Sequence, residues 1–115
     1  MRATQIDEIL ASPPRLALMA SLADGRWHTF MELKRETGLA DGNLHVQTNK
    51  LTDAGYIELR KLPHGRRTRT TYRVAELGST RFRLHVQLLQ SVLKRGEGTI
   101  RPRLARNRDD DAKVW

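Results

Sequence analysis

The sequence predicts a mainly α-helical domain with one small β-hairpin, a mixed α+β class. Apolar residues recur at helical spacing in the first half of the chain and again over about residues 76–95. Between these regions, two short segments rich in β-branched and aromatic residues flank a Pro-His-Gly turn. The length of 115 residues allows one modest core. We therefore expect a three-helix core, a two-stranded hairpin and a long C-terminal helix, in that order.

The first helix is predicted to begin after Ser12. Serine is a preferred N-cap residue, and Pro13 would occupy the first helical position, where a missing N–H loses no hydrogen bond. Apolar residues at helical spacing follow, and Gly25 is a typical stop. A short apolar segment, Ile6–Leu10, precedes this helix.

Two further helices follow at a short interval. Thr29 and Glu32 have the spacing of a capping box, which predicts the start of the second helix, and Gly38 ends it after about two turns. Asp41 is predicted to cap the third helix, which would end before Gly55. Two helices joined by a short turn with glycine form a helix-turn-helix arrangement.

The second half of the chain is predicted to contain two strands and a long helix. The strands cover residues 56–60 and 70–74, and the helix runs over about 76–95. Residues 96–115 combine glycine, proline and dense charge without periodicity, so a flexible charged tail is expected there. The predicted folded domain is therefore 1–95.

The positive charge is concentrated in one region. The net charge is +8, and residues 1–59, 60–83 and 84–115 contribute −2, +7 and +3. A local basic stripe is typical of a protein that binds a polyanion. The alternative is a solvated surface that only raises the isoelectric point.

The third helix has an outward face that suits base recognition. With Leu44 pointing inward and 100° per residue, Thr48 and Leu51 fall on the same buried side. Amide side chains can pair with adenine, and a valine can touch a thymine methyl. The alternative is an ordinary polar surface. The candidate base-reading residues are Asn43, His45, Val46, Gln47, Asn49 and Lys50.

The predicted hairpin carries several positive charges and almost no negative charge to pair with them. Cations crowded on a two-stranded ribbon repel one another, so an external anion is expected. Arg66 or Arg67 at the tip could enter a DNA minor groove, and the other cations would meet phosphates. The candidate wing and backbone residues are Lys61, Arg66, Arg67, Arg69, Thr70, Thr71 and Arg73.

Three segments resemble known regulators. "SPPRLALMASLADG" resembles the first helix of the MarR- and ArsR-like bacterial transcriptional regulators. "LADGNLHVQTNKLTDAGYIEL" is similar to the recognition helix and first wing strand of a short, single-domain subgroup, and "GRRTRTTYRVAELG" resembles its wing and the start of its last helix. Thr48 departs from the pattern, which usually has an apolar core residue there, and Val46 stands where a small polar residue is common.

The resemblance covers about residues 6–95 and implies a winged helix-turn-helix fold. It implies a sequence-specific regulator of double-stranded DNA, usually a homodimer, with the third helix in the major groove and the wing beside it. Two other functions stay open from the residues alone: a winged-helix adaptor for protein partners, and a nonspecific architectural nucleic-acid binder.

The last helix carries more apolar residues than one buried face requires. A second copy of the same helix is the simplest cover for the surplus. The alternative is that the second stripe packs on the first helix and Ile6–Leu10 within one chain. The predicted dimer-interface residues are Leu77, Leu84, Leu88, Leu89, Val92 and Leu93.

Several functional classes find no support in the sequence. There is no cysteine, and the four histidines lack the i, i+4 spacing of a helical zinc site, so we expect no metal and no cofactor. No phosphate-binding glycine loop or nucleophile motif is present, and we expect no enzyme activity. The first residues lack a signal-peptide pattern, no stretch is apolar enough for a membrane span, and a cytoplasmic location is expected. The sequence does not specify a small-molecule effector.

Overall fold

The computed structural model describes the backbone of residues 1–113 and the side chains of residues 1–95. It contains two compact units, one of Arg2–His85 and one of Val86–Trp115 together with Met1. The order of elements confirms the predicted fold class. The helices are α1 (Pro13–Leu22), α2 (Phe30–Thr37), α3 (Asp41–Asp53) and α4 (Glu76–Lys113), and the strands are β1 (His28–Thr29), β2 (Ile57–His64) and β3 (Arg67–Val74).

Helices α1 and α2 begin at the predicted caps. The Ser12 hydroxyl accepts a hydrogen bond from the Arg15 N–H at 3.4 Å, and Pro13 occupies the first turn. The Thr29 hydroxyl accepts from the Glu32 N–H at 3.1 Å, while the Glu32 carboxylate accepts from the Thr29 N–H at 2.7 Å. This second hydrogen bond lowers the pKa of Glu32. Both capping predictions are confirmed.

Helix α3 begins differently from the prediction. Its N-cap is Ala40, which has no side-chain cap hydrogen bond, and Asp41 is already the first helical residue. The Asp41 carboxylate binds the Lys34 ammonium at 2.8 Å, and this hydrogen bond lowers the pKa of Asp41. The predicted cap at Asp41 is therefore wrong, because its side chain pairs with α2 instead of the free N–H groups of α3.

The strands form a three-stranded antiparallel sheet in the order β1-β3-β2. The hairpin is longer than predicted, with register from Ile57 opposite Val74 to His64 opposite Arg67. Its turn is Gly65-Arg66 rather than Pro63-His64-Gly65. Pro63 fits in β2 because an edge strand can leave one N–H position unpaired. The φ of +65° at Gly65 is typical of the first residue of a type II′ turn.

The core of the first unit is formed by α1, α2, α3 and the sheet. Thr48 is only 1% exposed and lies on the inward face predicted for α3, with Leu44 and Leu51 fully buried beside it. Its hydroxyl donates to the carbonyls of Leu44 at 2.9 Å and His45 at 3.1 Å, so no polar group is left unpaired. The apolar core residues are Leu10, Leu18, Met19, Leu22, Leu33, Leu44, Leu51, Tyr56, Ile57 and Tyr72.

Helix α4 extends to Lys113, beyond the end predicted near Arg95. The predicted flexible tail falls on residues 96–115, which lie outside the residues with described side chains, so it stays a prediction. Within the described residues, no helix is both long and apolar enough to cross a membrane.

The packing of α4 requires a glycine at position 78, which the sequence pattern does not reveal. The first turn of α4 lies against the backbone of Tyr56, whose carbonyl accepts from the Ala75 N–H at 2.9 Å. A Cβ at Gly78 would overlap that same carbonyl. The residue is therefore glycine because of a close backbone approach rather than an unusual φ angle.

We predict that Gly78→Ala destabilises the fold by about 1–3 kcal/mol, because backbone rather than a flexible side chain must move. The control is Gly42→Ala, since Gly42 is also helical and a Cβ there meets nothing within 4 Å. That change should be neutral or stabilise by up to about 1 kcal/mol. Urea unfolding measures both, and equal effects of the two substitutions would contradict this packing.

Candidate nucleic-acid interface

The outward face of α3 carries four of the six predicted base-reading residues, and the other two, His45 and Gln47, lie on its flanks. Asn43, His45, Val46, Asn49 and Lys50 are exposed, and Gln47 is half-buried. Burial of Leu44, Thr48 and Leu51 on the opposite side determines this orientation. The face combines amides, one cation and the exposed methyl groups of Val46, a set suited to base edges.

The start of α2 adjoins this face. The ring of His45 stacks on Phe30, with centroids 4.5 Å apart and an interplanar angle of 29°. Phe30 also lines a groove of about 470 Å³ between the start of α2 and the β2–β3 hairpin. The other walls include Arg35, Arg67 and Arg69, so cations border this groove on both sides. Through Phe30, the α3 face and the hairpin form one continuous surface.

The tip half of the hairpin carries cations with no acidic partner. Lys61, Arg66, Arg67 and Arg69 are all exposed. Within residues 1–95, none of the four forms an ion pair with a carboxylate. The closest polar contact of Arg69 is with the His64 ring, at 3.3 Å. These charges remain available to an external anion.

A helix-turn-helix joined to a basic hairpin matches a known domain. The family model for the winged helix DNA-binding domain covers residues 15–93. The chain belongs to the winged helix DNA-binding domain family. The β2–β3 hairpin is its wing, and α3 is the second helix of its helix-turn-helix.

Several solved structures share the winged helix fold of this chain. A transcriptional regulator homologue from Pyrococcus horikoshii is 25% identical with a TM-score of 0.70, covering 76% of this chain and 87% of that one. A putative MarR-family regulator from Porphyromonas gingivalis is 22% identical with a TM-score of 0.60, covering 80% and 85%. No curated protein matches this sequence.

A third solved structure has a homodimeric winged helix-turn-helix DNA-binding domain, from a possible ArsR-family regulator of Mycobacterium bovis. It is 23% identical with a TM-score of 0.60, and the match covers 83% of this chain and 82% of that one. The winged helix-turn-helix fold that the resemblance implies is confirmed, and the two structures at 22% and 23% identity share that fold. The family and these structures support a DNA-binding transcriptional regulator.

Two arginines at the base of the wing, Arg60 and Arg73, contact other side chains of the protein. The guanidinium groups of Arg60 and Arg73 lie 4.1 and 4.5 Å from the centroid of the Trp27 ring. Arg73 also binds the Glu58 carboxylate at 2.9 Å, across a directly opposed strand pair. These contacts hold Arg73 within the wing, and its phosphate contact stays a prediction.

Trp27 and Glu58 were not among the residues predicted from the sequence. The pairing of Glu58 with Arg73 follows from the strand register, which could have been found had the turn been placed at Gly65-Arg66. No sequence signal places Trp27 beside the wing, because the contact joins residues distant in the chain.

The two wing threonines differ in accessibility. Thr70 is half-buried, but Thr71 is only 6% exposed and lies opposite Thr29 of β1. The Thr71 hydroxyl donates to the Arg60 carbonyl at 3.3 Å. Thr71 therefore exposes little surface to a ligand, and its predicted DNA contact stays a prediction.

His28 serves the local structure at the start of β1. His28 is buried, and its Nε2 lies 2.9 Å from the Asp24 carboxylate. The Arg26 N–H and His28 together lower the pKa of Asp24 to about 2. Among the described residues, no group of three or more His, Asp or Glu side chains is placed to hold a metal ion.

The predicted dimer residues of α4 are largely uncovered. Leu77 and Leu84 belong to the first unit, and Leu88, Leu89, Val92 and Leu93 to the second. Leu88 is half-buried, and the other five are between 38% and 62% exposed. Exposed leucines at helical spacing are a typical sign of a surface that another protein covers.

Proposed function

We propose that the protein regulates transcription by inserting α3 into the major groove while the wing follows the adjacent backbone. The observation that carries this proposal is the continuity of the surface: Phe30 contacts His45 of α3 and also lines the groove bordered by Arg67 and Arg69. Phosphates lying along that groove would meet cations that have no carboxylate partner within residues 1–95.

The two halves of this surface would have different tasks. Val46, Asn49 and Lys50 on α3 would contact base edges, where hydrogen bonds and methyl contacts distinguish sequences. Lys61, Arg66, Arg67 and Arg69 would contact phosphates, and one tip arginine could enter a narrow minor groove. The wing then supplies affinity and register, and α3 supplies specificity.

We also infer a homodimer through α4. Its exposed apolar residues support this assembly, as does the homodimeric state given for the Mycobacterium bovis domain. A two-fold axis through paired α4 helices would present two α3 helices to successive major grooves. The operator would then be a pseudo-palindrome with half-sites about 34–36 Å apart.

The wing contribution can be measured by salt dependence. With about four to six phosphate contacts per subunit, the log–log slope of affinity against salt should be about −4 to −5 per subunit. Arg66→Ala/Arg67→Ala should weaken binding to all duplexes and flatten the slope by about 2, because two counterion-releasing contacts are lost. The charge-matched control is Arg2→Ala/Arg83→Ala, at two exposed arginines outside this surface. If the two double variants behave alike, the wing does not contact DNA.

The role of α3 predicts a loss of discrimination. Asn49→Ala should cost about 1–3 kcal/mol on the preferred duplex and leave nonspecific binding nearly unchanged. Gln90→Ala, at an exposed amide on α4, should change neither. Competition binding with a selected and a scrambled duplex gives both values. Equal losses on the two duplexes would mean that this face touches only backbone, as expected of an architectural binder.

The dimer predicts a mass of about twice 13.2 kDa in sedimentation at micromolar concentration. Leu88→Glu or Val92→Glu should shift the protein toward monomer, because a charge in an apolar interface has no partner. Leu62→Glu, at a similarly exposed leucine of the wing, should leave the mass unchanged. A wild-type monomer would rule out the dimer.

A further inference from the structure

Two amides of the α3 face are linked to each other and to α1. Asn43 and Gln47 lie one helical turn apart, and the Gln47 Nε2 donates to the Asn43 Oδ1 at 2.9 Å. The Arg15 Nη1, at the start of α1, donates to the Gln47 Oε1 at 2.8 Å. The three side chains form a directed chain of hydrogen bonds, the Arg15–Gln47–Asn43 relay, which ends on the candidate DNA-binding face.

The chemistry of arginine determines the direction of this chain. A guanidinium has only donors, so Gln47 must turn its carbonyl oxygen toward Arg15. The Gln47 NH₂ group then points at Asn43, so the Asn43 carbonyl oxygen must accept this hydrogen bond. The Asn43 NH₂ group is left for a partner outside the protein. One cation thus sets the orientation of both amides.

Arg15 is itself held in place by the core. Its Nε donates to the Ile9 carbonyl at 2.6 Å. The N–H groups of Ile9 and Leu10 donate to the Asp7 Oδ1 at 2.8 and 3.1 Å, and the Tyr56 hydroxyl donates to the Asp7 Oδ2 at 2.6 Å. Burial, followed by the bond to Asp7, raises the pKa of Tyr56 to about 12, so the hydroxyl remains a donor to Asp7 even at alkaline pH.

We propose that Arg15 is a specificity-determining positioning residue that makes Asn43 a hydrogen-bond donor toward DNA, favouring guanine over adenine. This proposal rests on the insertion of α3 into the major groove. A bidentate contact with adenine needs the oxygen and the NH₂ group of one amide to face the same base, but the Asn43 oxygen is turned toward Gln47. Guanine presents two acceptors, N7 and O6, to the same NH₂ group. This revises the sequence-based expectation that the exposed amides pair with adenine.

The test is in vitro selection from a random duplex library with the full chain. The base contacted by Asn43 is the one whose preference disappears in Asn43→Ala. At that base, the wild type should favour guanine over adenine by about tenfold, within the range of a single amide contact. Arg15→Met should reduce the ratio to below about threefold, because a freed amide can also adopt the adenine-reading orientation. Arg83→Met, which removes an exposed arginine of α4, should keep the wild-type ratio.

Two further variants separate positioning from general stability. Arg15→Lys keeps a donor-only group and should restore much of the guanine preference. Gln47→Glu cannot donate to Asn43, so the Asn43 NH₂ group should turn toward residue 47 and expose its oxygen. The preferred base should then be one that offers a donor in the major groove, adenine or cytosine.

Failure of this proposal differs from failure of the proposed function. If the wild type enriches a sequence and Asn43→Ala alters one base, but Arg15→Met and Gln47→Glu leave that base unchanged, the relay is wrong and the docking stands. An equal loss on every duplex in Arg15→Met would make Arg15 a phosphate contact and would also overturn the relay. If the wild type enriches no sequence, the proposed function fails, and the relay fails with it.

Discussion

The rotation of α3 about its own axis determines what this protein can present to a partner, and three buried side chains set it. Leu44, Thr48 and Leu51 lie on one side of the helix and leave it no other orientation without exposing leucine. Thr48 tolerates burial because its hydroxyl bonds to carbonyls of its own helix. The amides, Lys50 and the Val46 methyl groups face outward as a consequence of this packing.

The arginines of the wing differ in their contacts between its base and its tip. At its base, Arg60 and Arg73 lie over Trp27, and Arg73 is paired with Glu58. The contacts with Trp27 tie the hairpin to the body of the domain, and the Arg73–Glu58 pair joins its two strands. At its tip the arginines have no acidic partner within residues 1–95. A supported base and an unpaired cationic tip suit a hairpin that must be held beside a strongly negative surface.

The sequence predicts those features whose cause is local. The caps at Ser12 and Thr29 depend on residues within one turn, and the inward face of α3 depends on helical periodicity. The features it missed depend on tertiary contacts. Strand β1 has only two residues and exists because β3 lies beside it. Asp41 is a good N-cap residue, but Lys34 pairs with its carboxylate. The Arg15–Gln47 bond joins positions 32 residues apart.

A single DNA-binding surface formed by α3 and the wing tip can be tested directly. The most direct measurement is a titration of the ¹⁵N-labelled full chain with a duplex recovered by selection, followed by amide chemical shifts. The largest changes should occur along residues 43–50 of α3 and at Gly65 and Arg66, at the same duplex concentration. Changes confined to α1 or α4, or a wing tip that stays unchanged while α3 shifts, would show that the two do not form one DNA-binding surface.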